Sequence, residues 1–347
     1  MRRKAACAAQ VIRVWKMTYQ NILVLGGTGF IGQRVVAELV ARGRRVRVAT
    51  RRRSRGRALL VLPSVELVEG NIADAAQLAA LIKGCDAVVN LVGILHDSGR
   101  AAAADSPAAG RYGAQFAAAH VNLPRSIVAA CRQHGLARVV HVSSLGADPA
   151  GPSGYLRSKG DGESLIREAP GICATILRPS VVFGEGDQFL NLFASLANWL
   201  PVLLVGRAQA RLQPVWVGDL ANALVTALDE RACFGRTYEI CGPKVYTLRE
   251  LVQFAAAASG HPRPVIGLPD FAALLLARFF ELAPGPTLMS RDNLRSLTVD
   301  SVASEQPYAP APELGMRPSP LEPEASLYLS GLHTRTRFGV YRSRARR

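Results

Sequence analysis

Ser144, Tyr155 and Lys159 are the residues whose types and spacing could do chemistry. Tyr155-Leu156-Arg157-Ser158-Lys159 follows soon after Val142-Ser143-Ser144, and on a helix the tyrosine and lysine, four apart, share a face. An ammonium beside a phenol lowers the phenol's pKa and makes both of its forms accessible near neutral pH. Such a phenol can give a proton to a carbonyl oxygen or take one from an alcohol. A serine hydroxyl at the end of the preceding strand would hold that oxygen. Tyr-x-x-x-Lys also arises as an ordinary exposed helical pair, so its weight depends on the elements around it.

A second cluster lies near the start of the chain. Residues 21–32 read Asn-Ile-Leu-Val-Leu-Gly-Gly-Thr-Gly-Phe-Ile-Gly. Ile22–Leu25 is a short apolar run suited to a buried parallel strand, and from Phe30 the apolar residues recur at helical spacing. Between them Gly26, Gly29 and Gly32 allow a tight turn, a close approach of pyrophosphate to the backbone, and close helix-to-sheet packing. Helix N–H groups would face the phosphates. This strand–turn–helix setting points to a dinucleotide. With one bound, Tyr155 would move a proton while hydride moves to or from nicotinamide. At the end of the second strand a chain selecting NAD would place an acid, but the residues are Ala49-Thr50-Arg51-Arg52-Arg53. Guanidinium groups pair bidentately with a 2′-phosphate, which favours NADP(H), with NAD(H) as the alternative. The bland reading is that one arginine turns inward and the rest are solvated.

The elements that must position these residues alternate from 21 to about 180. Strands are expected at Val46–Thr50, Val65–Val68, Ala87–Val92, Arg138–Val142 and Cys173–Leu177. Helices are expected at Ala75–Ile82, from about Gln115 to His134, and from near Tyr155, with an Ala/Gly/Ser/Pro-rich loop over 97–113. Alternation of this kind predicts an α/β fold with a doubly wound parallel sheet. Beyond 180 a short strand Pro214–Val217, a helix Leu220–Leu228 capped by Asp219, a strand Tyr238–Ile240, and helices over 189–200, 247–258 and 270–282 predict a small, mostly helical lobe. The expected division is a basic extension over 1–17, a nucleotide-binding domain over 18–184 with 214–242 returning to it, the small lobe over 185–213 and 243–300, and an extended, partly ordered, proline-rich basic tail over 301–347.

Hydrophobic content of 49% with 6% aromatics suits an Ala/Val/Leu-rich α/β protein. The cysteines and histidines show no metal spacing and no disulfide framework, which implies no metal and a reducing compartment. The formal charge of +16 is uneven. Nine arginines fall between Arg42 and Arg57 with no acid among them, and six more lie between Arg335 and Arg347. Solvated faces explain much of this; attraction to an anionic membrane surface is the sharper reading. No nucleic-acid motif accompanies the charge, so no nucleic-acid partner is expected. The longest apolar candidate, Phe189–Val205, carries Asn191, Asn198 and Pro201 and does not read as a membrane span. Residues 1–16 are basic but lack Ser and Thr, so a leader ahead of a start at Met17, or a disordered extension, is expected rather than a transit peptide.

With these motifs in view, the chain over about 19–300 resembles the short-chain dehydrogenase/reductase superfamily in its extended, epimerase/dehydratase-like form, a Rossmann fold. The resemblance rests on Gly26-Gly27-Thr28-Gly29-Phe30-Ile31-Gly32, Asn90-Leu91-Val92-Gly93, Asn122, Ser143-Ser144, Tyr155 and Lys159, Arg178–Gly184 and Val217–Ala221. Tyr155–Lys159, Arg178–Gly184 and Asp187–Asn191 are similar, more narrowly, to the Rossmann-fold accessory subunit family of respiratory complex I and its bacterial relatives. The resemblance implies that Gly26–Gly32 bind pyrophosphate and that Arg51 and Arg52 take the adenosine end. It implies that Asn90, Leu91, Val92 and Gly93 pass beneath the cofactor, and that Pro179 with Val181 or Val182 flanks the nicotinamide. Ser144, Tyr155 and Lys159 match the catalytic positions, Lys159 also holding the nicotinamide ribose. Asn71 stands where many members place Asp against adenine. The serine is ambiguous between Ser143 and Ser144; spacing to Tyr155 favours Ser144, with Ser143 toward the core.

Asn122 reads as a holder of backbone or water, and His96, His120 and His141 as packed histidines. Two functions compete: an NADPH-dependent oxidoreductase, and a non-catalytic cofactor-binding subunit of a membrane assembly of the complex I type. The apolar helices over 189–200 and 270–282 would either roof a pocket for a quinone-, isoprenoid- or lipid-like ligand or form the ordinary core of the lobe, the second being favoured. The expected location is cytoplasmic, with peripheral placement on the inner face of the plasma membrane, or the matrix side in a mitochondrion.

Overall fold

The computed structural model describes residues 19–97, 111–282 and 289–330. The expected extension over 1–17, residues 98–110 of the expected loop and the basic end of the tail lie outside the described residues. The first half alternates as its apolar runs require: β1 (Asn21–Leu25), α1 (Phe30–Ala41), β2 (Arg45–Thr50), β3 (Val65–Glu69), α2 (Ala75–Ile82) and β4 (Ala87–Asn90). After the loop come α3 (Ala114–Phe116), a π-helical stretch over 117–122, α4 (Leu123–Gln133), β5 (Arg138–Val142), α5 (Gly154–Arg167) and β6 (Cys173–Pro179). The second half adds β7 (Val182–Phe183), α6 (Leu190–Trp199), β8 (Leu203–Gly206), β9 (Arg211–Leu212), β10 (Val215–Trp216), α7 (Val217–Asp229) and β11 (Thr237–Ile240). It ends with β12 (Tyr246–Thr247), α8 (Leu248–Ala258), β13 (Val265–Leu268), α9 (Asp270–Leu282), α10 (Arg291–Ser296) and α11 (Leu321–Leu329).

Seven strands form one parallel sheet in the order β11-β6-β5-β4-β1-β2-β3. This is the expected doubly wound Rossmann sheet, extended on one edge by β11. Alternate residues of β1 face opposite layers. Ile22 and Val24 pack with α1 and α7, whereas Leu23 and Leu25 pack with α2 and α4. A separate core beneath α6, α8 and α11 carries the smaller, mostly helical lobe. The strand order reverses between β1 and β4. Crossovers leave in opposite directions there, and a crevice opens at the carboxyl ends of the strands.

Several local outcomes differ from expectation for physical reasons. β4 ends at Asn90 rather than Val92, because the Asn90 side chain accepts the Val92 N–H (3.2 Å) and turns the chain out of the ladder. The helix expected over 115–134 is interrupted: the Leu123 N–H reaches back to the Ala118 carbonyl, a π-type bond. Pro124 has no N–H to offer His120's carbonyl, so the wider turn forms there. Asp219 does not cap its helix, which begins at Val217. Its carboxylate instead accepts the Ser319 N–H (2.6 Å) and hydroxyl (3.2 Å). Residues 301–330 do not trail away from the body. Leu314 and Met316 enter the α1/α7 core, and Leu321, Ala325 and Leu329 of α11 enter the lobe core.

Candidate active site

The site is built at the sheet's carboxyl edge. Gly26 leaves β1 with φ +83°, and a Cβ there would press on the Leu91 carbonyl carbon (3.1 Å) and the Val92 nitrogen (3.2 Å). The turn is therefore seated directly on the segment after β4. Gly27 packs on Val48, and Gly32 fits tightly over the Gly26 carbonyl, which brings α1 down on the sheet. Thr28 is held through its carbonyl by the Gln33 side-chain amide (3.1 Å), and Phe30 and Ile31 are half-buried. Gly29, exposed, is the N-cap of α1. No side chain caps this helix, and its first turn holds no acid.

Helix α5, which carries Tyr155 and Lys159, begins very differently. Asp292 of α10 accepts the Gly154 and Tyr155 N–H groups (2.7 and 3.0 Å), and Ser153 accepts that of Leu156 (3.1 Å). The protein thus satisfies one helix N-terminus itself and leaves the other bare beside the crevice, where a phosphate group fits.

The Lys159 ammonium is buried, donates to the Val142 carbonyl (3.2 Å), and lies against Gly93, where a Cβ would stand 3.1 Å from Nζ. Burial pulls its pKa down to about 8, with the Glu163 carboxylate opposing. Glu163, itself buried, grips Arg178 through both oxygens (2.7 and 2.8 Å). Ser144's hydroxyl, which donates to the Leu145 carbonyl (3.2 Å), acts on the Tyr155 phenol from nearby. Burial raises the phenol's pKa, and the Ser144 contact pulls the other way. The lysine-driven lowering expected from sequence is not what dominates: Lys159 is spent on Val142 and Gly93, and desolvation governs the tyrosine. Ser143 points inward, its buried hydroxyl without a partner among the described residues.

His120 was expected to be a packed histidine, yet the structure puts it beside these groups. Its ring meets Tyr155 edge-on at 5.6 Å and stacks on Phe116 at 5.4 Å. Nε2 accepts the Ile94 N–H (3.1 Å), so Nδ1 carries the proton toward Ser158 Oγ (2.8 Å), which donates in turn to the Tyr155 carbonyl (2.8 Å). Burial and the nearby Lys159 hold His120 neutral. Only the π-type turn, and Gly162, which has no Cβ to strike His120's carbonyl, let α5 come this close. Pro124 and Gly162 were legible signals, but neither points to a histidine without the fold. Asp292 and Glu163 were also missed, since nothing in sequence ties them to residues 154 or 178.

The remaining positions lie along the same edge. Asn90 bridges Val92 N–H and His141 Nδ1 (3.0 Å), and burial lowers the His141 pKa to about 3. Pro179's carbonyl accepts the Leu145 N–H (2.9 Å); Val181 and Val182, half-buried, follow it. Arg51 and Arg52 are exposed after β2, as are Arg53, Arg55 and Arg57, and none of them forms an ion pair among the described residues. Asn71 is exposed after β3, its side chain accepting the Ala73 N–H (3.1 Å). Asn122 is exposed in the π-type turn. Among the described residues no group of His, Cys, Asp or Glu is placed to hold a metal.

A Rossmann sheet with this edge defines a nucleotide-binding α/β protein, and sequence comparison narrows the class. The chain belongs to the NAD dependent epimerase/dehydratase family, whose profile matches residues 22–241. It is 29% identical over 305 residues to the mitochondrial NADH dehydrogenase [ubiquinone] 1 alpha subcomplex subunit 9 of Mus musculus, covering 86% of this chain and 77% of that one. It is 31% identical over 269 residues to the 2-alkyl-3-oxoalkanoate reductase of Stenotrophomonas maltophilia, covering 70% of this chain and 77% of that one. Its fold matches an NADPH-dependent quinone oxidoreductase from Escherichia coli solved with NADPH, with a TM-score of 0.66 at 17% identity, over 89% of this chain and 99% of that one. The resemblance to complex I accessory subunits and to short-chain reductases therefore extends over most of the chain.

Proposed function

We propose that this protein is an NADPH-dependent oxidoreductase acting on a carbonyl/alcohol pair of an apolar substrate, of quinone, isoprenoid or long-chain 3-oxoalkanoate character. The observation that carries this reading is one connected edge. The Gly26 turn that leads into the uncapped α1 sits on Leu91–Val92, Gly93 lies against Lys159, and Lys159 shares α5 with Tyr155, whose phenol has Ser144 nearby. The bare helix end and the glycine cradle fit a pyrophosphate, and the unpaired Arg51 and Arg52 fit a 2′-phosphate. Lys159 would hold the nicotinamide ribose, and Pro179 with Val181 or Val182 the ring. When bound, the cofactor supplies hydride exchange. Ser144 then donates to the substrate oxygen and Tyr155 delivers the proton to it. Lys159's charge favours the phenolate left behind. Neutral His120 fixes the backbone of both Tyr155 and Ile94.

The test is loss of NADPH absorbance with a panel of alkyl 3-oxo esters and short-chain ubiquinone analogues, run beside the same panel with NADH. Oxidation of NADPH in preference to NADH supports the reading. A second reading is favoured by likeness to the mouse subunit over 86% of the chain. In it, NADPH is a rigidifying ligand, and the protein is an accessory or assembly subunit held peripherally at the inner face of a membrane by an NADH:ubiquinone oxidoreductase-type complex. No turnover across the panel, together with an NADPH-dependent rise in Tm, would favour that reading.

A further inference from the structure

The helix α9 is neither a roof over a pocket nor ordinary core. Strands β8 and β13 pair in parallel, with Leu203, Val205 and Val265 turned into the lobe core. Gly206 belongs to the opposite face, and a Cβ there would stand 2.8 Å from the Cβ of Ala273, so α9 lies across that outer face. Ala273 and Ala277 are its buried side, packed with Leu294 of α10. The other side carries Phe271, Leu275, Phe279 and Leu282, at 76%, 70%, 65% and 78% exposed. These recur at helical spacing as one stripe. Leu204 and Ile266, partners in register, continue it on the outer face of the strands at 50% exposure each. Trp199, the last residue of α6 and four positions before β8, stands more open still at 81%.

We propose that this surface docks on an anionic lipid bilayer, with α9 lying in the headgroup plane. Charge selects this occupant. Arg278, exposed, stands within the stripe. The two acids of α9 are both engaged, Asp270 by Arg207 (2.9 Å) and Glu281 by Arg291 (2.8 Å), so the face has a cationic excess. A second copy related by a two-fold axis would bring like charges together. Lipid phosphates would pair with Arg278 while acyl chains take the phenylalanines and leucines, and an open tryptophan suits the boundary. Thirteen residues are too few to cross a bilayer and enough to lie along its surface. The whole chain, at +16, is drawn to the same sign of surface. The proposal deepens the peripheral-membrane reading above and rests on it, but not on turnover.

Full-length protein is sedimented at low salt with protein-free phosphatidylcholine vesicles, with and without phosphatidylglycerol. The same is done for Phe271→Ser/Phe279→Ser and for Arg278→Glu. Wild type is expected to pellet with the anionic vesicles. The double variant should lose about tenfold or more in partitioning, since each phenylalanine contributes apolar burial, while Tm and NADPH affinity are unchanged. Arg278→Glu should weaken binding to anionic vesicles selectively. If wild type and the double variant pellet equally, this surface is overturned while peripheral attachment through other basic segments stands. If wild type pellets with neither vesicle, lipid docking is overturned, while attachment through a protein complex stands. A wild-type dimer in light scattering that the double variant converts to monomer, without vesicle binding, assigns the face to a second copy and overturns the proposal.

Discussion

Lys159 is the residue through which the site senses pH. Burial pulls the pKa of its ammonium down to about 8, with Glu163 opposing. As pH rises through that value the ammonium is lost, and with it the ribose contact proposed for it. NADPH affinity should therefore fall as pH rises through about 8 in wild type. Titration calorimetry across that range on Lys159→Met should show a weaker affinity with no such limb. An identical limb in the variant would assign it to another group. Ser144 is coupled to the same balance from the other side, because its hydroxyl opposes the burial that raises Tyr155.

At the scale of elements, two helix ends differ in a way that suits the proposed binding and chemistry. The N-terminus of α1 has no side-chain cap, and the N-terminus of α5 has two. Asp292→Ala removes one of the latter and should cost about 1–2 kcal/mol of stability, in the range of lost N-caps, measured by denaturant unfolding. It should also lower the rate more than it lowers NADPH affinity, since Tyr155's own N–H is released. At the end of β2, Arg51→Ala with Arg52→Ala should cost about 2–4 kcal/mol in NADPH binding and little in NADH binding. Equal losses for both nucleotides would remove the arginines from the 2′-phosphate. The glycine turn, the strands and the Tyr155/Lys159 pair were legible because each is a local pattern of period two, three or four. The Asp292 clamp, the Asp219–Ser319 tie and His120's place were not, since each joins residues 35 to 138 positions apart or depends on a π-type turn. Helix α9 misled for the opposite reason: its apolar periodicity was real, but the side it presents outward is the apolar one.

On the scale of the whole molecule, the small lobe and the returning tail are structural partners of the nucleotide-binding sheet. Asp292 reaches α5, Ser319 reaches α7, and Tyr328 donates to the buried Asp187 (2.8 Å). Two buried histidines are expected to contribute to the acid response of this assembly. His141 titrates near about 3 in the fold against an ordinary value of 6.5, and His120 is lowered as well. The unfolded chain therefore binds protons that the fold refuses, and stability is lost as pH falls from 6.5 toward 3. His141 contributes a slope of about 1.4 kcal/mol per pH unit in that window. His141→Asn should reduce the steepness of acid destabilisation in urea titrations, even where it lowers stability at neutral pH. An unchanged slope would exclude His141 from the acid response.

The central claim, that this edge is a catalytic one, is tested most directly by single-turnover NADPH oxidation on Tyr155→Phe beside wild type. The comparison uses whichever carbonyl or quinone probe wild type reduces. The exchange keeps the ring packed against His120 and Phe116 and removes only the hydroxyl. NADPH affinity and Tm should stay within error, while the rate falls by about 10²–10⁴. A variant that oxidises NADPH at the wild-type rate, or a wild type that oxidises it with no probe while binding it tightly, would contradict the account.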